Sequence, residues 1–214
     1  MSRILLIQSD PAAAERIRQL LGAAPGLELM TCVGSLAEAT DFLARQVPDL
    51  VLSDLRLSDG PVTEVLDQLG SGRVLQTLAV VIAPAVQDPM LMDALRHGAE
   101  GYVVAGALTD TLVPTLRQVL AGESPMAPEI AREIKAHFES QVWDNTDFVG
   151  ETQNPMHLSD NERQLLDWIG DGHPLADIAR SMGTTPHLLG IQLRNLCLRM
   201  QFAVSADTLT LSIL

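Results

Sequence analysis

Along the first 120 residues, short apolar runs take turns with segments of helical periodicity, and this pattern predicts strands separated by helices. Apolar residues recur at three- and four-residue spacing over residues 11–22, 35–46, 62–69, 89–98 and 109–120, which predicts five helices. Strands alternating with helices form crossover connections, so this part is predicted to be an α/β domain with a five-stranded parallel sheet. The strands are predicted in short, nearly continuous apolar runs, typical of a sheet buried on both faces: Ile4–Ile7, Leu27–Val33, Leu50–Leu52, Leu78–Ile82 and Tyr102–Val104.

Aspartate and proline mark the helix boundaries in this part. Asp10 precedes Pro11 and Asp88 precedes Pro89, and each pair places a capping carboxylate before a proline in the first helical turn. Pro114 falls inside the fifth helical pattern. Because proline lacks a backbone N–H group, it is expected to kink or shorten that helix.

The pattern changes after Gly122. Residues 122–155 are predicted to form a helix over Glu129–Val142 and then a polar segment over 144–155, which places a domain boundary near residue 150. Residues 156–214 show no strand pattern and are predicted to form a small all-α domain. Its four helices are predicted over residues 160–170, 175–182, 186–200 and 206–213.

Composition and charge narrow the class of protein. The chain has 214 residues, 47% of them hydrophobic, and a net charge of −13, which favours packed, acidic domains. Residues 156–214 contain six acidic residues, four arginines and no lysine, so the phosphate contacts of a nucleic-acid binder would be few. Cys32 and Cys197 lie in apolar segments, as expected for buried thiols. The sequence shows no long apolar run and no charged leader, so a cytoplasmic protein is expected.

Several motifs of the chain resemble known modules in order and spacing. Pro48–Leu55, Asp59–Gly60 and Ala94–Tyr102 resemble the receiver domain of response regulators. The helical part is similar to the helix-turn-helix output domain of the NarL/FixJ (LuxR-type) family in four places: Leu158–Ser159 with Glu162, Asp177–Ala179, Met182–Gly183 and Leu193–Leu196. The resemblance implies a flavodoxin-like receiver domain over residues 1–121, a helical and polar linker over 122–155, and a four-helix DNA-binding domain over 156–214.

Asp54 ends the third apolar run, where the resemblance places a phospho-accepting aspartate. The family also uses two acids for a magnesium ion, a hydroxyl residue and a lysine. At the corresponding positions this sequence has Gln8 and Ser9, Ala83, and Ala105. Because magnesium needs several hard oxygen ligands and phosphoryl transfer depends on the positive charge of the metal, we predict a degenerate pseudo-receiver without metal or cofactor. Asp54 is then a weak or unused phosphoacceptor.

Other readings of this pocket stay open. Asp54 is a solvated carboxylate at a strand end, a working phosphosite, or part of a polar pocket with Gln8 and Ser9 that binds a small ligand or is hydrogen-bonded internally. Tyr102 matches the aromatic residue that moves inward in the family upon activation. Because Ala83 is small, the ring of Tyr102 could lie permanently inward. Alternatively, Tyr102 is an ordinary edge-strand tyrosine without a switching role.

The output domain contains the candidates for DNA binding. By the resemblance, residues 175–182 form the supporting helix, and Thr185 caps a recognition helix that opens at Pro186. Gly190 stands where the family often has lysine, which removes a cation and costs about 1 kcal/mol of helix propensity relative to alanine. The resemblance places the following DNA-binding candidates on this helix and its cap: Thr185, His187, Leu188, Ile191, Gln192, Arg194, Asn195 and Arg199.

Two functions follow as hypotheses. The leading one is a phosphorylation-independent transcription regulator that binds promoter DNA as a homodimer. The alternative is an interaction protein that pairs with another regulator and binds DNA weakly or not at all; Gly190, the scarce positive charge and the apolar end at 209–214 favour it. Catalysis and a membrane partner are not expected, because the sequence has no nucleophile elbow, glycine-rich phosphate loop, Cys-His metal spacing or membrane-spanning run.

Overall fold

The computed structural model describes residues 1–70, 77–140 and 157–211, with side chains up to Met200. The chain folds into two compact units, Met1–Ala121 and Gly122–Leu214. The predicted polar segment at 144–155 and the last residues of the apolar end, 212–214, lie outside the described residues. Among the helices that are described, none combines the length and the hydrophobicity needed to cross a membrane.

The first unit is built on a five-stranded parallel sheet, as predicted. Its strands pair in the order β2-β1-β3-β4-β5, so β2 and β5 are the edges and β3 is central. A separate short hairpin pairs Arg56–Leu57 with Gly60–Pro61. The five strands are β1 (Ser2–Ile7), β2 (Leu27–Val33), β3 (Leu50–Asp54), β4 (Leu78–Ala83) and β5 (Gly101–Val104).

Five helices surround this sheet: α1 (Pro11–Gly22), α2 (Leu36–Leu43), α3 (Thr63–Gly70), α4 (Pro89–Arg96) and α5 (Leu108–Leu120). The predicted caps are confirmed, because the side chains of Asp10 and Asp88 accept the backbone N–H groups of Ala12 and Met90 at 3.0 Å. Pro114 does not shorten α5, which continues through it to Leu120. A core between the sheet and helices α1 and α5 includes Ile4, Leu6, Leu52, Val80, Ile17, Leu112 and Leu116.

The stretch Ala94–Tyr102 connects α4 to β5. Gly98 follows the end of α4 with a φ of +118°, a value that favours glycine. The buried Glu100 then accepts the backbone N–H of Ala79 at 2.7 Å, which fastens the connection to the start of β4. This motif therefore has a structural role: it holds the connection between α4 and the edge strand β5 in place.

The second unit consists of helices, named α6 (Pro128–Ser140), α7 (Asp160–Gly170), α8 (Leu175–Ser181) and α9 (Pro186–Leu211). Helix α6 packs against α7 and α9 through the buried side chains of Ile130, Ile134 and Phe138. These side chains bury apolar area that would otherwise be exposed to water, so α6 contributes to the core of the second unit.

The predicted break between the third and fourth helices of this part is wrong. Helix α9 is continuous over 26 residues, from Pro186 to Leu211. Residues 201–205 contain neither glycine nor proline, so the local sequence has no strong signal for ending a helix.

Side-chain caps define the starts of α7 and α9, and a glycine turn follows α8. Ser159 and Glu162 form a reciprocal capping box at α7. Gly183, with a φ of +67°, forms the turn after α8. The hydroxyl of Thr185 accepts the backbone N–H of Leu188 at 3.3 Å, which confirms Thr185 as the cap of α9.

Candidate functional site

Asp54 lies at the carboxyl end of the central strand β3, where the predicted pocket forms. Its neighbours on the sheet are β1, which ends just before Gln8, and β4, which ends at Ala83. In open α/β sheets, the carboxyl ends of central strands are where ligands bind. Asp54 is half-buried, whereas Gln8 and Ala83 are buried.

The amide of Gln8 joins Asp54 to the start of α1. Its Oε1 accepts the backbone N–H of Asp10 at 2.9 Å, which leaves the amide nitrogen of Gln8 to interact with the carboxylate of Asp54. Only 5% of Gln8 is exposed, and the bond from Asp10 fixes the oxygen end of its side chain. Among the readings left open by the sequence, these interactions of Gln8 favour the internally hydrogen-bonded arrangement around Asp54.

Burial raises the pKa of Asp54 from 3.8 to about 6. The hydrogen bond from Gln8 acts in the opposite direction, and the negative charge of the nearby Asp10 raises the pKa further. Water is the better solvent for a carboxylate, so the folded unit favours the protonated form more than the unfolded chain does. Asp54 therefore sits in an environment that opposes a second negative charge.

The donors around Asp54 do not fit a magnesium ion. Magnesium prefers a near-octahedral set of oxygen ligands, but Gln8 directs its amide nitrogen toward Asp54, and Asp10 Oδ1 is bonded to the N-terminus of α1. Within the part of the chain that the structure describes, no three His, Cys, Asp or Glu side chains converge as metal ligands.

The remaining pocket positions are divided between strand ends and turns. Ala83 is fully buried at the end of β4, whereas Ser9 and Ala105 are exposed. Ala105 begins a short 3-10 turn after β5. Tyr102 lies on the edge strand β5 opposite Val81 and is half-buried. The structure thus brings Gln8 together with Asp54, and it places Ser9 and Ala105 at the surface.

In the second unit, a short segment that we call the arm, Gly122–Ser124, runs along one side of α9. The backbone N–H of Ser124 donates to the carbonyl oxygen of Gly190 at 3.2 Å, and Ser124 is 3% exposed. His187 Nδ1 lies 2.8 Å from Glu123 Oε1. A Cβ atom on Gly122 would lie 3.7 Å from Arg194 Nη1. His187, Gly190 and Arg194 are spaced by three and four residues, so the arm follows one face of the helix.

Gly190 has a packing role that the sequence did not reveal. A Cβ atom at this position would lie 2.9 Å from Cβ and Cγ of Glu123, which is closer than carbon atoms pack. The sequence suggests a lost DNA contact at Gly190, but the structure shows that any side chain here would collide with the arm.

Arginine side chains in the second unit are largely paired with acids. Arg199, a predicted DNA-binding candidate, is 3.2 Å from Glu162 and lies over the ring of Phe138 at 5.1 Å from its centroid. Arg163 lies 3.1 Å from Glu139, and Arg180 lies 3.0 Å from Asp177. Arg199 thus takes part in packing α9 against α6 and α7.

The opposite side of α9 is open to solvent. Leu188 is 50% exposed, and Gln192 and Asn195 are exposed as well. Their spacing of four and three residues places them on one face, which we call the open face. Thr185 lies exposed at its start, and Ile191 is half-buried at its margin. The predicted candidates are therefore divided between the arm side, the open face and the helix-packing contacts of Arg199.

Sequence reasoning missed the arm and the pairing of the arginines. Both depend on which distant residues meet, and a hydrophobic pattern does not report this. One local signal was available: an isolated glycine inside a helical pattern costs helix stability and often indicates a close approach of another segment. Gly190 is such a glycine.

Comparisons with known proteins agree with this architecture. The chain is 29% identical over 183 residues to the DNA-binding transcriptional activator DevR/DosR of Mycobacterium tuberculosis, covering 85% of this chain and 80% of that protein. It is 25% identical over 206 residues to the nitrate/nitrite response regulator protein NarL of Escherichia coli K12, covering 92% and 88%. The RcsB response regulator of Salmonella typhimurium shares its fold, with a TM-score of 0.55, 12% identity and coverage of 96% and 98%. No protein-family model matches the chain.

The chain shares its architecture, a five-stranded parallel sheet with flanking helices followed by a helical unit, with the response regulator RcsB. By sequence, the chain is similar to the response regulators DevR/DosR and NarL, and it is 26% identical to a LuxR-family two-component response regulator from Aurantimonas over 66% of this chain and 99% of that one, with a TM-score of 0.55. The family resemblance seen in the sequence is thereby confirmed.

Proposed function

We propose that this protein is a transcription regulator that binds promoter DNA through α9 and whose receiver unit works without phosphorylation. The relatives DevR/DosR and NarL are named as a DNA-binding activator and a response regulator. The buried amide of Gln8 beside Asp54 carries the phosphorylation-independent part of the proposal. A neutral amide supplies none of the positive charge that phosphoryl transfer needs.

DNA binding is supported by the geometry of the helix-turn-helix. Helix α8, the turn at Gly183 and the capped start of α9 present the open face at the surface. Such a helix inserts its first turns into the major groove, where amide side chains such as those of Gln192 and Asn195 bond to base edges. A homodimer would place two open faces on two half-sites and double the contacts.

Phosphate contacts should contribute little to this binding. Arg163, Arg180 and Arg199 are paired with acids of the second unit. If each protomer contacts about two phosphates, the logarithm of the affinity falls with the logarithm of salt concentration with a slope of about −4 for a dimer. A much steeper slope would indicate that these ion pairs open on DNA.

Changing Asn195 to alanine is expected to weaken binding to recovered promoter DNA about ten-fold, the effect of losing one good base contact. The measurement is recovery of genomic fragments by the purified protein, followed by titration of the enriched duplexes. Asn161→Ala is the matched control, because Asn161 is an exposed asparagine on a different helix, α7. Equal losses for both variants would argue against base reading by α9.

Acetyl phosphate with magnesium is expected to leave the mass of the protein unchanged and its DNA affinity within about two-fold, because Asp54 lacks cationic support. Intact-mass measurement and DNA titration before and after treatment check this. The control variant combines Gln8→Asp, Ala83→Thr and Ala105→Lys, which supplies a second carboxylate, a hydroxyl and a cation to the pocket. Stable addition of a phosphoryl group to Asp54 of the unchanged protein would contradict the proposal.

A second candidate function is an interaction protein that modulates another regulator by pairing. The ion-paired arginines and the exposed Leu188 favour it, since an apolar side chain can serve a protein contact. The genomic recovery experiment separates the two functions: the interaction protein enriches no DNA but co-purifies with a regulator.

A further inference from the structure

We infer that Glu123 and His187 form a proton-sensitive latch, which holds the arm on α9 in mildly acidic solution and which must open before α9 enters the major groove. This inference rests on the proposed function, and it adds a means of regulation that needs no phosphoryl group. The observations behind it are a carboxylate–histidine pair on the arm side and the close packing of Glu123 on Gly190.

The arm is seated on α9 by contacts on both sides of Gly190. The backbone N–H of Ser124 donates to the carbonyl oxygen of Gly190 at 3.2 Å, and the buried Oγ of Ser124 lies 3.9 Å from Cys197 Sγ. The side chain of Glu123 covers Gly190 itself, where a Cβ atom would come within 2.9 Å of its carbon atoms. The missing side chain at position 190 is thus what lets the arm lie so close to the helix backbone.

The arm and the major groove compete for the same helix. An α-helix with its side chains is about 10–12 Å in diameter, and the major groove of B-DNA is about 12 Å wide. A helix inserted into the groove therefore leaves no room for a second chain segment along its flank. Because the arm follows the side of α9 that carries His187, Gly190 and Arg194, it has to leave when the first turns of α9 enter the groove.

The pair of Glu123 and His187 is the charge-sensitive contact of the arm. His187 Nδ1 lies 2.8 Å from Glu123 Oε1, and 20% of the Glu123 side chain is exposed. Histidine changes its charge between about pH 5 and pH 8, where an ordinary carboxylate stays ionised. A histidine cation attracts a carboxylate more strongly than the neutral ring does. Lowering the pH therefore stabilises the closed arm, and raising the pH weakens it.

The other charged and titratable groups beside the latch do not reverse this direction. Arg194, further along the same side of α9, is charged throughout this range. The thiol of Cys197 belongs to a class of groups that ionise at higher pH. On α8, Asp177 and Arg180 are paired with each other at 3.0 Å. On α6, His137 lies beside the ring of Phe138, which contacts the opposite end of the described part of α9.

Alkylation of Cys197 reports the position of the arm without DNA. This thiol is 1% exposed and lies beside Ser124, so release of the arm uncovers it for reaction. The full-length protein and Glu123→Gln are treated with iodoacetamide at pH 6 and pH 8, and labelled peptides are quantified by mass spectrometry. Glutamine keeps the shape and an acceptor oxygen but carries no charge. The ratio of the two rates at one pH cancels the intrinsic pH dependence of the thiol.

Glu123→Gln is expected to label Cys197 about three-fold faster than the unchanged protein at pH 6, the effect of losing a partly exposed ion pair, and at nearly the same rate at pH 8. His187→Gln should give the same pattern. Cys32, in the first unit, is the internal reference. Glu133→Gln is the matched control, since it removes an exposed carboxylate from α6 and should leave the labelling of Cys197 unchanged at both pH values.

DNA titration of the same proteins tests what the latch controls. The affinity of the unchanged protein for a recovered promoter duplex is expected to fall about three-fold from pH 8 to pH 6. Glu123→Gln should reverse this direction, because the released histidine cation gains a phosphate contact as the pH falls. Asp54 also titrates in this range, so Asp54→Asn is the control, and it should keep the fall in affinity.

Two results overturn the inference. Alkylation ratios that are equal at pH 6 and pH 8 would show that the charge of His187 does not hold the arm. A DNA affinity that changes with pH in the same direction in the unchanged protein and in Glu123→Gln would show that the closed arm does not compete with DNA. Because the alkylation of Cys197 is measured without DNA, it still decides the latch if no duplex is recovered, an outcome in which the proposed DNA-binding function itself fails.

Discussion

Replacing Gly190 with alanine lowers the free energy of unfolding of the second unit by about 1 kcal/mol, although the same change in an unobstructed helix raises it by about 1 kcal/mol. The reason is the arm. The new Cβ atom would lie 2.9 Å from Cβ and Cγ of Glu123, and overpacking of this kind costs about 1–3 kcal/mol. Relief requires moving the backbone of the arm, which also carries the bond from Ser124 to Gly190.

A double-mutant cycle with Glu123→Gly isolates this contact. In the Glu123→Gly background, the carbon atoms that collide with the new methyl group are absent, so Gly190→Ala is expected to become stabilising by about 1 kcal/mol. The coupling between the two sites is then about 2 kcal/mol. Urea unfolding followed by the fluorescence of the tryptophans, Trp143 and Trp168, reports on the second unit, because the first unit contains none.

A matched glycine separates packing from helix propensity. Gly22 is the last residue of α1, and a Cβ atom there would meet nothing within 4 Å. Gly22→Ala should therefore stabilise the first unit, by at most about 1 kcal/mol. If Gly190→Ala stabilises the second unit as Gly22→Ala does the first, Glu123 of the arm does not pack closely against position 190 in solution.

Replacing Asp54 with asparagine stabilises the first unit at neutral pH and has little effect in acid. Burial raises the pKa of Asp54 to about 6, from 3.8. For full burial this difference corresponds to about 3 kcal/mol, and the partial exposure of the side chain reduces it to about 1–2 kcal/mol. Asparagine removes the charge and keeps an oxygen that can accept the amide of Gln8.

The direction of the pH dependence follows from the raised pKa. Below pH 3.8 the carboxyl is protonated in the folded and the unfolded state, so its stabilising contribution is fully present. As the pH rises toward 6, the unfolded state loses its proton first, and the folded state loses stability relative to it. The stability difference between Asp54→Asn and the unchanged protein should grow between pH 4 and pH 6 and then stay constant.

Circular dichroism during urea unfolding, at half-unit pH intervals, measures this difference. Asp41→Asn is the control, since Asp41 is highly exposed and forms only a surface ion pair with Arg45 at 3.8 Å. A stability difference for Asp54→Asn that does not change between pH 4 and pH 7 would show that the carboxyl of Asp54 is solvated in the folded unit.

The sequence predicted the sheet well because burial on both faces leaves a direct mark. Runs such as Ile4–Ile7 and Leu50–Leu52 are apolar at every position, and both lie in the central part of the observed sheet. The caps at Asp10 and Asp88 were predictable for a different reason: a cap is a contact between near neighbours in the chain. Local chemistry and local structure agree at these positions.

The parts that were not predicted depend on distant pairings. Gln8 was recognised as a departure from the family, but its bond to Asp54 depends on how the ends of β1 and β3 meet. Arg199 was assigned to DNA, yet Glu162, 37 residues away, holds it. The continuity of α9 beyond Met200 also escaped prediction, because an apolar pattern can change phase without any residue that ends a helix.

The burial of α6 bears on how such regulators can be recombined. Ile130, Ile134 and Phe138 contribute to one core with α7 and α9, and the arm at Gly122–Ser124 touches α9 itself. A chimaera that joins the helix-turn-helix to a foreign receiver within the polar segment at 144–155 would discard both and uncover an apolar helix face. A junction at Ala121 preserves them, so the transferable module of this protein begins at Gly122, far ahead of the helix-turn-helix that starts at Leu175.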